Sequence, residues 1–238
     1  MPSRAPARDL SIYHERTRAR GVNPFVYWAV RAVLKPLMLI YFRVSRIGRE
    51  HCPREGGVLL APNHRSFLDP FVIGICIRRP AYFMAKQELF KPRWQAWVLN
   101  ALGAFPVRRG EADEDAMETS RLLLERGEMV LVFPEGTRIR KGSLGKPKRG
   151  VGRLALQTGV PVVPIAVWGS QHVWQRDGAR DLKFGRPIWV KAGPPLDFSD
   201  YADGSHDEET LHTVTDQVMA NLTTLVHDLR SRYPKRWQ

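Results

Sequence analysis

The heptapeptide Asn63-His64-Arg65-Ser66-Phe67-Leu68-Asp69 sets an imidazole and a carboxylate five residues apart, directly after an apolar run over residues 56–61. A histidine just past a buried strand is placed to face a crevice at the carboxyl edge of an α/β sheet. A carboxylate five residues on, at a helix start, can bend back and accept a hydrogen bond from the ring. That bond fixes the tautomer and strengthens the imidazole as a general base. No serine or cysteine nucleophile is needed if the hydroxyl of an acceptor substrate does the attacking. A plain structural reading stands beside this one. Asp69-Pro70 is a common helix start, Asp as cap and Pro in the first turn, which would leave His64 a loop residue.

Three further blocks carry chemistry. Gly103-Ala104-Phe105-Pro106-Val107-Arg108-Arg109 is a strand closed by two guanidinium groups, suited to a phosphate or simply to a solvated strand end. Phe133-Pro134-Glu135-Gly136-Thr137-Arg138 follows the most apolar strand segment. Gly136 permits close backbone approach, Thr137 offers a hydroxyl, and Arg138 beside exposed amides would clasp a phosphate. Lys148, Arg149 and Gly150 add charge before a helix start, where amides also favour an anion. A basic surface loop would explain the charge here but not the Glu135 carboxylate beside the Arg. Val160-Pro161-Val162-Val163-Pro164-Ile165 enters a strand, and two prolines argue an edge strand or its entry. Val162 and Pro164 could wall an apolar acyl channel or be ordinary core.

The elements that must position these residues follow from apolar periodicity and punctuation. Strands are predicted over 56–61, 81–85, 105–107, 129–133, 162–168 and 188–191, and helices over 69–77, 94–102, 113–126, 151–158 and 206–232. The alternation predicts an α/β fold, a single domain over 48–238 with a mainly parallel mixed sheet flanked by helices. Residues 1–23, polar and Arg-rich, are expected to be a flexible basic leader. A Gly/Asp/Ser-rich stretch near 199–206 is the other linker-like segment. No secretory signal pattern stands near Met1.

Residues 24–47 hold an apolar stretch broken by Arg31, Lys35 and Pro36. On a helical projection Arg31, Lys35, Arg46 and Arg49 share one face, with Arg43 at its edge. This is the pattern of a basic amphipathic helix, or a pair joined at Pro36, lying in an anionic headgroup layer. A helix packed on the core with a solvated cationic face fits as well.

Composition bounds the alternatives. The 238 residues carry a net charge of +13, with 43% hydrophobic residues, a globular composition rather than a disordered or multi-span one. Two cysteines, Cys52 and Cys76, exclude a disulfide framework. The excess charge sits in two blocks, +7 over residues 1–50 and +8 over residues 136–176, the latter without an acidic residue. Basic charge and 7 Trp raise the possibility of nucleic-acid binding. No binding motif supports it, and Trp94, Trp97, Trp168 and Trp189 fall in core-like patterns.

The four blocks in this order resemble the glycerolipid acyltransferase family, which contains the 1-acylglycerol-3-phosphate acyltransferases. The family's Asn-His-x4-Asp motif is similar to Asn63–Asp69. Its Gly, apolar pair and Arg are similar to Gly103–Arg109. Its Phe-Pro-Glu-Gly-Thr-Arg stands complete at Phe133–Arg138, and its Val-Pro-x-x-Pro strand is similar to Val160–Ile165. The resemblance covers residues 48–191. It implies transfer of a fatty acyl group from a thioester of coenzyme A or acyl carrier protein to a glycerol hydroxyl, with no metal and no cofactor. His64 would be the base and Asp69 its partner. Glu135 and Arg138, with Arg109 or Arg108, would hold the phosphorylated acceptor. The implied acceptor is a lysophospholipid, with glycerol 3-phosphate, another lyso-lipid or a glycolipid as alternatives. The implied place is the cytoplasmic face of a membrane, in contact with its phospholipids. A lipid-binding protein that lost catalysis is the non-enzymatic alternative.

Overall fold

A computed structural model describes residues 9–108, 113–139, 144–174, 180–201 and 207–237. Five strands build one contiguous part of the sheet: β2 (Val58–Pro62), β3 (Ala81–Lys86), β4 (Ala104–Val107), β5 (Met129–Leu131) and β6 (Val162–Trp168). All five run parallel to one another. β7 (Trp189–Ala192) pairs antiparallel with β6, and β1 (Ser45–Ile47) pairs parallel with β7. The order across the sheet is β1-β7-β6-β2-β5-β3-β4. The α/β reading and the mainly parallel mixed sheet therefore hold. β2 and β6 read as unbroken apolar runs because helices cover both of their faces.

One face packs α3 (Asp69–Cys76) and part of α2 (Pro24–Tyr41) against β2, β5 and β6. The other face packs α5 (Glu114–Glu125), α6 (Gly150–Thr158) and the start of α8 (Glu208–Arg232). α6 approaches α8 closely at Gly152, where an added Cβ would lie 2.4 Å from Thr215 Oγ1. The last turns of α8 bury Leu222, Val226 and Leu229 on Ala166 and Trp168 of β6. α4 (Arg93–Ala101) and α1 (Ser11–Arg20) pack beyond β4.

Several expectations need correction. The predicted mobile leader contains α1, which buries Tyr13, His14 and Thr17. Thr17 Oγ1 and the Tyr13 carbonyl accept from the buried Asn100 amide of α4, a tie sequence cannot show. α2 runs unbroken through Pro36 and ends at Tyr41, so Arg46 lies on β1 and Arg49 in a 3-10 turn, not on the helix. Arg31 points inward and donates to the carbonyls of Gly74, Ile75 and Ile77 at the end of α3. Those carbonyls lack helical partners and carry the negative end of the helix dipole. The outward face of α2 is apolar: Phe25, Val33, Leu37 and Ile40 are exposed. β6 is not an edge strand. It pairs with β2 and β7, and Pro164 fits because the β7 ladder begins only at Ile165, where no N–H is required of the proline. Trp168 is buried as expected, but Trp94 and Trp97 are exposed. Most of the stretch 199–206 lies outside the described residues.

Candidate active site

The carboxyl ends of β2, β3, β4, β5 and β6 meet at one edge of the sheet, and the sequence-predicted residues gather there. His64 lies two residues past β2 and is nearly buried. Its Nδ1 stands 2.9 Å from Asp69 Oδ2. With Nδ1–H donated to the carboxylate, the neutral ring carries its lone pair on Nε2. Asp69 is fully buried and is the first residue of α3 rather than its cap. Its carboxylate turns back along the chain, accepting the N–H groups of Arg65 at 2.7 Å and Ser66 at 2.8 Å. Its second oxygen, Oδ1, accepts from Ser170 Oγ at 2.6 Å. Phe133 stacks on the imidazole at 3.9 Å between centroids and limits its rotation.

His64 separates two cavities. The larger, 410 Å³, is lined by Arg108, Lys148, Arg149 and Arg153 together with Asp113, Glu114 and apolar residues of α5. Arg149 pairs with Glu208, Arg153 with Glu114, and Arg108 approaches Asp113. Lys148 makes no ion pair among the described residues. The cavity walls thus hold an excess of positive charge, which suits a phosphate. Gly136 also lines it, and a Cβ there would touch Lys148 Cγ at 3.0 Å. The smaller cavity, 120 Å³, is mostly apolar and is lined by Phe67, Phe71, Phe83, Leu89 and Leu99.

Not every expected residue reaches the cationic cavity. Arg138 lines the apolar cavity instead. Glu135 is buried and lines neither. Its carboxylate accepts the N–H groups of His64 at 2.7 Å and Gly145 at 2.9 Å. Burial raises its pKa while those two bonds lower it, with the net shift upward. Glu135 therefore ties the His64 turn to the loop after β5. Thr137 lines neither cavity. Arg109 lies outside the described residues. Val162 and Pro164 are buried in the sheet, Val162 packing toward α5, α6 and α8, so they wall no channel beside His64. Aromatic and aliphatic residues around α3, β3 and α4 form that wall, a set scattered in sequence. Sequence reasoning also passed over Arg153 and Ser170, because neither belongs to a local pattern. Burial pushes the Cys52 thiol up to about 11 and that of Cys76 to about 12, which makes both poor nucleophiles.

A mainly parallel α/β sheet with a His–Asp pair at its carboxyl edge, between an apolar and a cationic cavity, is the architecture of a group-transfer enzyme. A family model described as Acyltransferase matches residues 43–168, more than half of the chain. The chain belongs to the acyltransferase family and is similar to its 1-acylglycerol-3-phosphate O-acyltransferases. The 1-acyl-sn-glycerol-3-phosphate acyltransferase of Bacillus subtilis is 31% identical over 170 residues, 71% of this chain and 81% of that protein. The chloroplastic enzyme of that name from Arabidopsis thaliana is 31% identical over 136 residues, but the match spans 56% of this chain and 38% of the plant protein. The crystal structure of the 1-acyl-sn-glycerophosphate acyltransferase PlsC from Thermotoga maritima shares the fold. Its TM-score is 0.64 at 24% identity, covering 95% of this chain and 97% of that one.

Proposed function

We propose that this protein transfers a fatty acyl group from a thioester of coenzyme A or acyl carrier protein to the free hydroxyl of a 1-acylglycerol 3-phosphate. The observation that carries the reading is the placement of the His64–Asp69 pair between a cationic cavity and an apolar one. The acceptor phosphate sits against Lys148 and Arg108, and a fatty chain enters the cavity lined by Phe71, Phe83 and Leu99. His64 Nε2 takes the proton of the acceptor hydroxyl as its oxygen bonds to the thioester carbonyl carbon. The tetrahedral intermediate then collapses, the C–S bond breaks, and the imidazolium returns the proton to the departing thiolate. Products are the ester and a free thiol, and no cofactor is consumed. The negative charge of Asp69 steadies the imidazolium between the two steps.

The exposed apolar face of α2 docks on the cytoplasmic leaflet, where soluble thioesters meet a lipid acceptor. α2 is long and apolar enough to cross a membrane by length and composition. Its Arg31 is committed to α3, however, which favours lying in the interface. The test measures thiol release from an acyl thioester with lysophosphatidic acid, glycerol 3-phosphate and lysophosphatidylcholine as acceptors. Turnover is expected with the first, and His64→Ala is expected to abolish it with the unfolding midpoint unchanged. A folded His64→Ala protein at near wild-type rate would remove His64 as base. Turnover confined to another acceptor would reassign the substrate.

A further inference from the structure

We propose that Ser170 is a positioning residue for acyl transfer, holding the Asp69 carboxylate in the orientation that serves His64. The proposal rests on His64 acting as the general base. Asp69 Oδ2 is occupied by its own turn, through His64 Nδ1 and the N–H groups of Arg65 and Ser66. Oδ1 is held from elsewhere in the fold by Ser170 Oγ, 101 residues away in sequence. At 2.6 Å the contact has the length of a charge-assisted O–H···O⁻ bond. Both side chains are fully buried, so bulk water cannot replace the donor.

The segment after β6 is built to deliver that hydroxyl. Ser170 opens the short helix α7 (Ser170–Val173), directly after Gly169. Gly169 has φ 99°, and a Cβ there would stand 2.3 Å from the Pro187 carbonyl oxygen, so another residue would displace the turn. The same segment grips the His64 turn twice more. The Asn63 amide accepts from Val167 N–H at 2.7 Å and donates to the Val167 carbonyl at 3.0 Å. Ser66 Oγ donates to the Trp174 carbonyl at 2.7 Å. Asn63, Ser66 and Asp69, spanning the whole turn, are thus registered against residues 167–174. A carboxylate fixed at both oxygens presents one lone pair to Nδ1 and keeps Nε2 aimed at the cavity mouth.

Ser170→Ala removes only the donor. Its kcat is expected to fall about tenfold with KM for both substrates unchanged, as for an interaction that matters in the transition state alone. Combined with Asp69→Asn, the same substitution is expected to cost less than about twofold, because Ser170 acts through the carboxylate. Ser170→Cys fills the site with a weak donor and is expected to give an intermediate kcat, which serves if the alanine variant does not fold. Folding is checked by the thermal midpoint. A folded Ser170 variant with kcat within twofold of wild type, a loss carried by KM, or an equal loss in the Asp69→Asn background would overturn the proposal. An active His64→Ala would instead overturn the general-base reading beneath it.

Discussion

Lys148 and Arg138 were expected from sequence to act together, yet they face different cavities. Charge type alone cannot separate them; position along a loop does. Gly136 turns with φ 63°, and the Lys148 N–H donates to the Pro134 carbonyl at 2.6 Å, which brings the lysine stem over the glycine. Lys148→Ala is therefore expected to raise KM for the phosphorylated acceptor by roughly tenfold, the loss of one charge-assisted contact, with little change in kcat. Steady-state kinetics against acceptor concentration checks this, and an unchanged KM would remove Lys148 from the phosphate site. Glu135 teaches a related lesson. Beside an Arg in sequence it looks like part of a binding motif, but its two oxygens are spent on backbone N–H groups of two separate loops.

At the scale of elements, α1 is held to α5 by a buried histidine. His14 Nδ1 lies 2.9 Å from Thr119 Oγ1, and Arg18 donates to the same hydroxyl. Burial pushes His14 below its ordinary value of 6.5, Asp113 and Asp115 pull it up, and Arg18 and Arg108 push it down further. A depressed folded-state pKa means that the undocked helix binds the proton more readily. The docking energy is present above about pH 6.5 and is lost as pH falls through the lower folded value. Hydrogen exchange along residues 11–20 is expected to quicken as pH drops from 7 to 5, after correction for intrinsic rates. His14→Gln, which cannot charge, is expected to flatten that dependence. An identical acceleration in both proteins would exclude His14 as the cause. The predicted helices 69–77 and 113–126 were legible because Asp-Pro in the first turn marks the one, and the Asp113 cap with amphipathic periodicity marks the other. α1 was not, because its polar, low-periodicity sequence becomes a packed helix only against α4 and α5.

For the whole molecule, the orientation of α2 decides how it meets a membrane. Helical projection put the cations toward the lipid; the structure turns Arg31 inward and leaves Val33 66% and Ile40 67% exposed. Each side chain, buried in the acyl boundary, would contribute roughly 1.5–3 kcal/mol. Val33→Asp with Ile40→Asp is expected to weaken binding to anionic phospholipid vesicles by more than about tenfold while the thermal midpoint stays unchanged. Unaltered co-sedimentation with vesicles would show that another surface does the docking.

The alternation of strands and helices, the five-residue spacing that lets Asp69 reach His64, and the family resemblance were all legible along the chain. Each rests on residues close together in the chain, where spacing and local hydrogen bonding suffice. The tertiary structure decided which cations share a cavity, which apolar side chains wall the second one, and that β6 lies inside the sheet. It also placed Ser170 on Asp69 and turned α2 with its apolar face outward. Those outcomes depend on strand order and on which helix face finds a partner, contacts between residues far apart in the chain that no local spacing encodes.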